Sequence, residues 1–429
     1  MEREADVIII GGGIIGCATA YYLGKRGVRA LLVENDDIAT HQSGRNWGFA
    51  RQQGRDPAEV PLMVESNRMW RGLETELAQS VDWVQGGNLA VTDDPERLKL
   101  MESWLAVAKQ YGVDTRLLTP DEVAAHIPQM STRWLGGLFT PADGHAEPAK
   151  ATNAYRRAAQ ELGAMVYTKT AAEKLLTSNG HASGIVTDTG EEVRAPKVVI
   201  AAGAWSSKLG RQIGLGIPQR WVRATVGRTA PAPAITQTGV WGPRVAFRQR
   251  PDGTINFAAG GSTDYDVTLD AFRHTRLFLP NYWKNRKLFK FNWGKPLVRS
   301  VAGMAPWSQA RKHPFAIDRN LEIPPNPDKV QKGLAELTTL FPMLKGIKLE
   351  TSWAGYIDAV PDMIPIIEAC KKPEGFYLAT GFSGHGFGMG PVAGRIMSEL
   401  IVDGRSSLPI EPFRLARFKE EKVQPRNVL

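Results

Sequence analysis

The sequence predicts an α/β fold joined to a second, mainly antiparallel α+β domain, and three observations predict it. The chain has 429 residues, more than one ordinary core holds, and its 43% hydrophobic and 23% charged residues are those of a globular protein. It opens on a strand, a glycine cluster, a helix, a second strand and an acid, all within residues 7–34. From 221 to 262 it changes to short alternating strands punctuated by Pro and Gly.

The opening pattern is the most specific. Val7 to Ile10 form a β-branched run that enters Gly11, Gly13 and Gly16 at G-x-G-x-x-G spacing, and Ile14 and Ile15 start a helix. Gly11 allows the tight turn, Gly13 admits a pyrophosphate to the backbone N–H groups, and Gly16 lets the helix lie close on the sheet. Glu34 ends the next strand, followed by Asn35. A carboxylate there accepts the hydroxyls of an adenosine ribose and argues against a 2′-phosphate. The stretch 7–23 is apolar, but Gly11, Gly12, Gly13, Gly16 and the nearby Gly24 fit a strand and turn better than a membrane span. With no leader ahead of the strand and only Cys17 and Cys370, the expectation is a cytoplasmic protein without a disulfide.

The loop 40–55 is rich in small and hydrogen-bonding residues. Ser43, Gly44, Arg45, Asn46, Trp47 and Gly48 are expected to wrap the cofactor. A helix from 58 carries Leu62, Ser66, Met69, Trp70, Leu73 and Leu77 on one face, a core stripe. A strand at 87–92 leads to a helix with Leu98, Met101 and Leu105, stopped by Gly112. Thr119-Pro-Asp-Glu122 supplies an N-cap, a proline at the first helical position and a capping-box acid. After a turn-rich return at 136–148 come a helix at 149–162, a strand at 165–168 and a hairpin-like stretch through Gly190, in which Ala172 is placed at the cofactor. The strand 197–200 ends in small residues, so that Ala202, Gly203 and Trp205 belong to the same site. The last signal is a strand from 375, a loop with five glycines from Gly381 to Gly390, and a helix expected to open at Pro391. Gly384, His385, Gly386, Phe387 and Gly388 in that loop are expected to face a planar ring, with the helix dipole behind them.

The net charge is +9, and much of the excess is local. Arg273, Arg276, Lys284, Arg286, Lys287, Lys290, Lys295 and Arg299 fall between 271 and 299 with no acid among them. Phe278, Tyr282, Trp283, Phe289, Phe291 and Trp293 are interleaved. Two readings stand: a solvated basic face, or a surface for a membrane or an acidic partner, the latter placing the protein peripherally at the inner face of a membrane.

Together the N-terminal fingerprint, Val199-Ile-Ala-Ala-Gly-Ala-Trp205, Val360-Pro-Asp362 with Pro365, and Thr380-Gly-Phe-Ser-Gly-His-Gly-Phe387 resemble the flavin-dependent amine oxidoreductases that include sarcosine oxidase, glycine oxidase and D-amino-acid dehydrogenase. The resemblance runs nearly end to end. It implies FAD in a glutathione-reductase-like domain built from 1–85, 150–220 and 346–429, and a discontinuous substrate domain, 86–149 and 221–345, whose antiparallel sheet covers the flavin. The arginine with which glycine oxidase and D-amino-acid dehydrogenases hold a substrate carboxylate falls at Ile357. Arg51 lies near a carboxylate-contacting arginine of sarcosine oxidases and is the expected replacement. The oxygen-promoting lysine of the oxidases has no counterpart, because 209–283 contains no lysine. Gly355 near a flavin-linking cysteine position, and Trp47-Gly48 where related dehydrogenases have Trp-His, imply non-covalent FAD.

The resemblance thus implies oxidation of the C–N bond of an amino acid or secondary amine (a D-amino acid, an N-alkylated or a cyclic one). The expected acceptor is a quinone or another redox protein. Arg51, His385 and Tyr356 are the candidate catalytic residues. His385 serves either loop hydrogen bonding or contact with flavin or substrate, and Tyr356 and Asp358 flank the missing arginine. No Cys/His cluster has metal spacing and no nucleophile motif is present. The alternative from another class is an FAD-containing RNA-binding or tRNA-modification protein, motivated by the charge; it lacks an RNA-binding signature, and no nucleic-acid partner is expected.

Overall fold

The computed structural model describes residues 1–420 and 423–424. Val7–Ile10 is buried at every position, as a strand covered on both faces must be. Val7 and Ile9 join one core cluster, with the helices Ile14–Gly24, Val60–Leu77, Pro148–Glu161 and Gly386–Val402. Ile8 and Ile10 join a second, beneath the three-stranded antiparallel sheet that contains Ala172–Ser178 and His181–Thr187. The strand is central in a six-stranded sheet. Across it run Ile366–Ala369, Phe376–Thr380, Val198–Ile200, Val7–Ile10, Ala30–Val33 and Met165–Tyr167, all parallel except the first.

A second sheet has ten strands. It includes Asn88–Thr92, Gly136–Thr140, Arg220–Thr229, Val245–Gln249, Ile255–Ala259 and Thr263–Asp266, and ends at Phe289–Asn292. Its pairings are antiparallel except Gly239–Trp241 with Asn88–Thr92 and Thr263–Asp266 with Phe289–Asn292. The α/β architecture with a mainly antiparallel second sheet is therefore the one expected. Leu349–Ala359, which a boundary at 346 groups with the nucleotide unit, pairs with Arg220–Thr229 from Arg220↔Ala359 to Thr229↔Leu349. The two strands run out of the large sheet directly into the nucleotide unit.

Local signals translate as their physics predicts. Leu62, Ser66, Met69, Trp70, Leu73 and Leu77 are all buried. Thr119 caps Pro120–His126 with both capping-box bonds present. The last helix differs: it begins at Gly386, and Pro391 lies inside it. Pro391 gives up its own N–H bond and crowds the carbonyl four residues earlier, in the first turns of the helix, and the turn upstream is held by other means. The Gly388 carbonyl accepts from Ser66 Oγ (2.6 Å) and Trp70 Nε1 (2.9 Å). Gly390 and Gly394 pack so closely that added Cβ atoms would come 2.7 Å from Ile14 and 2.5 Å from Ala18.

Candidate functional site

The parallel strands end beside a cavity of about 540 Å³. Gly11 at φ +116° turns the chain there; a Cβ on it would lie 2.4 Å from the Ala201 carbonyl oxygen. A Cβ on Gly16 would lie 2.0 Å from Gly11 O, so the helix can approach the strand only as glycine. Ile14 N donates to Ser43 Oγ (2.9 Å), which ties the wrapping loop to the helix start. Glu34 accepts from Gly12 N (2.6 Å) and Asp36 N (2.8 Å) while burial raises its pKa. Asp358, buried on Leu349–Ala359, accepts from Gln42 Nε2 (2.9 Å) and Gly381 N (2.8 Å), joining that loop to the C-terminal glycine loop.

The structure brings the expected residues together. Gly11, Gly13, Ile14, Ile15, Glu34, Asn35, Ser43, Arg45, Asn46, Trp47, Ala172, Ala202, Gly203, Trp205, Gly384, His385, Gly386 and Phe387 line the cavity, as do Arg51 and Tyr356. Gly16, Gly44, Gly48 and Gly388 stand behind the lining. Gly44 and Gly48 are there because a Cβ would strike Ala39 O at 1.9 Å and Ala146 O at 2.2 Å. Because the last helix starts at Gly386, its first N–H groups lie at the lining itself. A glycine cradle closed to any Cβ, a half-buried ribose-type acid and a helix N-terminus at one cavity fit an adenine dinucleotide carrying a flavin.

A second group of residues is built from side chains. Arg51 is 5% exposed, donates from Nη1 to Gln53 O (3.1 Å) and lies 4.6 Å from the Trp241 ring. Burial, and then Arg55, lower its pKa. Arg55 is equally buried, and donates from Nε to Arg51 O (3.1 Å), while its Nη1 has no hydrogen-bond partner. Trp47 stacks on Trp241 at 4.9 Å, with Phe49 against both. The fully buried Arg248 holds Trp47 by its carbonyl and pairs with Glu147 at 2.8 Å. Asp143 accepts from Gln52 N (2.7 Å) and Gln53 N (3.2 Å), and burial pushes its carboxyl up to about 6 despite those donors.

His385 Nδ1 lies 3.0 Å from Glu59 Oε1. Burial, and then Arg55, push the imidazole down, so it is neutral near pH 7 and Nδ1–H donates to the carboxylate. Tyr356 lines the cavity, but its hydroxyl donates to Asp266 Oδ2 (3.1 Å), and burial followed by that carboxylate raises its pKa. Ile357 also lines the cavity and carries no charge to it. Sequence reading missed Arg55, Phe49, Trp241 and the Glu59 partner of His385. Arg55 had a usable signal, four residues beyond Arg51 in the same loop; Trp241, one of twelve tryptophans, had none.

A model of the family described as DAO, FAD dependent oxidoreductase, matches residues 6–400. Among curated relatives, the chain is 26% identical to mitochondrial sarcosine dehydrogenase of Mus musculus over 97% of its own length and 42% of that protein's. It is 25% identical to the monomeric sarcosine oxidase of Bacillus sp. (strain B-0618), with 97% of each covered. The chain thus spans less than half the length of the sarcosine dehydrogenase it matches. Among solved structures, L-amino acid deaminase from Proteus vulgaris superposes with a TM-score of 0.90 at 26% identity, covering 97% of this chain and 98% of that one. L-proline dehydrogenase from P.horikoshii gives 0.81 at 25%, covering 99% and 100%.

Proposed function

We propose, for a chain that belongs to the DAO family of FAD-dependent oxidoreductases, that it oxidises the C–N bond of an α-amino acid, free, N-alkylated or cyclic. The single observation that carries the carboxylate is the pair of buried guanidinium groups, Arg51 and Arg55, at the cavity that the glycine cradle lines. A buried cation whose Nη1 is unsatisfied is costly unless an anion meets it, and a carboxylate accepts such donors with charge-assisted bonds. Arg51 thereby takes the place of the arginine missing at Ile357.

Bound FAD supplies the acceptor for a hydride leaving the carbon next to nitrogen. The chain supplies everything else. Arg51 and Arg55 hold the carboxylate and so fix the carbon's position; Trp47, Phe49 and Trp241 exclude water; the N–H groups at the start of Gly386–Val402 favour negative charge near the lining. His385, held by Glu59 in its Nδ1–H form, keeps Nε2 as an acceptor nitrogen at the lining.

The acceptor of the reduced cofactor's electrons is, in this reading, a quinone or redox protein rather than oxygen, supported by a cavity lining without lysine. Stopped-flow reoxidation in air slower than dye-linked turnover is expected; an equally fast reaction overturns it. Substrate class is read by anaerobic flavin bleaching across D-, L-, N-methyl and cyclic amino acids beside the corresponding decarboxylated amines. Bleaching by amino acids and not by the amines is expected, and the reverse pattern removes the carboxylate from the reading.

A further inference from the structure

The 47 residues from 271 to 317 hold ten Lys and Arg side chains and no Asp or Glu. They form the helices Thr275–Asn285 and Lys295–Ala302 and the strand Phe289–Asn292, yet no residue from 271 to 314 is buried. Among the described residues, eleven of the sixteen exposed large hydrophobic side chains fall in this tenth of the chain. From the second helix onward Val298, Val301, Met304 and Trp307 recur every third residue, with 66%, 51%, 68% and 81% of their surface exposed. Trp283 and Trp293 of the same segment are 60% and 62% exposed.

Single exposed apolar residues are ordinary, but a concentration of them marks a surface that something else covers. Four rings of the segment adjoin one another: Tyr282 lies 5.7 Å from Trp283 and 5.9 Å from Phe291, which lies 6.4 Å from Phe289. The segment is tethered at the margin of the fold. Its strand ends the large sheet, Asn281 Nδ2 donates to Pro361 O (3.2 Å), and Arg299 Nη2 donates to Asp318 Oδ1 (2.9 Å).

We infer that residues 271–317 are a docking surface for an anionic lipid bilayer. Charge complementarity decides the partner: a surface of one sign, with tryptophans and aliphatic side chains set between lysines and arginines, meets a plane of phosphate and carboxylate headgroups in any rotation about the membrane normal. Tryptophan and long basic side chains suit that boundary, placing apolar bodies below the headgroups and polar tips among them. Among the described residues no helix is long and apolar enough to cross a membrane, and docking through this surface needs none. The inference is independent of the substrate.

The test uses the full flavin-loaded protein and two vesicle types, phosphatidylcholine alone and phosphatidylcholine with about one third phosphatidylserine. Co-sedimentation with the anionic vesicles only is expected, with tryptophan fluorescence quenched by brominated lipid and binding reduced at least about tenfold in roughly 0.5 M salt. Two variants separate the contributions, Trp283→Ser/Trp293→Ser/Trp307→Ser and Lys284→Glu/Lys287→Glu/Lys290→Glu. Each is expected to weaken vesicle binding by on the order of a hundredfold while flavin content and melting temperature stay as in the parent. No binding to anionic vesicles, or equal binding by parent and variants, overturns the inference. So does a dimer in solution that the tryptophan variant disperses, because the surface then belongs to a second copy.

Discussion

The two halves of the cavity are made of different material. The half beneath Gly11 and Gly16 is backbone, shaped by contacts in which even a methyl group has no room. The half around Trp241 is side chain: Arg51, Arg55, Trp47 and Phe49 from one loop, Trp241 from a strand of the other sheet, and Asp143 beneath them. A backbone site tolerates almost no change and recognises a constant ligand. A side-chain site can be altered one contact at a time, which is how related chains keep one cofactor and differ in substrate.

The largest expected effect breaks the first half. Gly16→Leu drives a branched side chain into Gly11 O and should cost more than about 4 kcal/mol, leaving protein without flavin absorbance and with a much lower melting temperature. Retained flavin would show that the helix can move away from the strand. Next come the arginines. Arg51→Ala, and separately Arg55→Gln, should raise KM for the best amino acid about a hundredfold, roughly 3 kcal/mol, with flavin content unchanged. Unchanged KM in fully flavinylated protein refutes the carboxylate clamp.

The side-chain half also responds to pH through Asp143. Its carboxyl sits at about 6 in the fold against 3.8 for the free group, so the folded protein binds more protons than the unfolded chain between those values. Stability from this group is fully present below pH 3.8 and is lost as pH rises through 6, by about 3 kcal/mol. Stability measured by denaturation should therefore fall more steeply from pH 4 to 7 for the parent than for Asp143→Asn; parallel curves would mean that Asp143 keeps an ordinary pKa. The smallest effect supplies the baseline outside both halves. Trp283→Ser should change stability by no more than about 0.5 kcal/mol in thermal melts without lipid, because that ring is 60% exposed.

What was legible follows from distance along the chain. Gly11, Gly13, Gly16 and Glu34 form their site within one strand–helix–strand unit, and Thr119 finds its capping partner at Glu122, so spacing alone carries them. The stripe from Leu62 to Leu77 was legible because helical periodicity reports burial directly. Pro391 misplaced a helix start because the preceding turn is held by Ser66 and Trp70, more than 300 residues away. Arg51 and Arg55 were readable as residues but not as a pair, since their shared confinement depends on Asp143 and Trp241 from other segments.

The long ladder between Arg220–Thr229 and Leu349–Ala359 has a mechanical consequence. At its inner end Gln219 Nε2 donates to Thr380 Oγ1 (2.9 Å) and Asp358 accepts from Gly381 N (2.8 Å), so the ladder is rooted in the nucleotide unit as well as in the large sheet. Parting the two units like a clamshell would bend both strands together and pull on their bonds to Thr380 and Gly381. Among the described residues this paired ribbon stiffens the join between cofactor and substrate sheet, and traffic into the cavity is expected to pass by displacement of loops and side chains at its rim. Amide exchange at Thr225 and Gly355 should then be as slow as in Val7–Ile10, and a ligand filling the cavity should leave it unchanged.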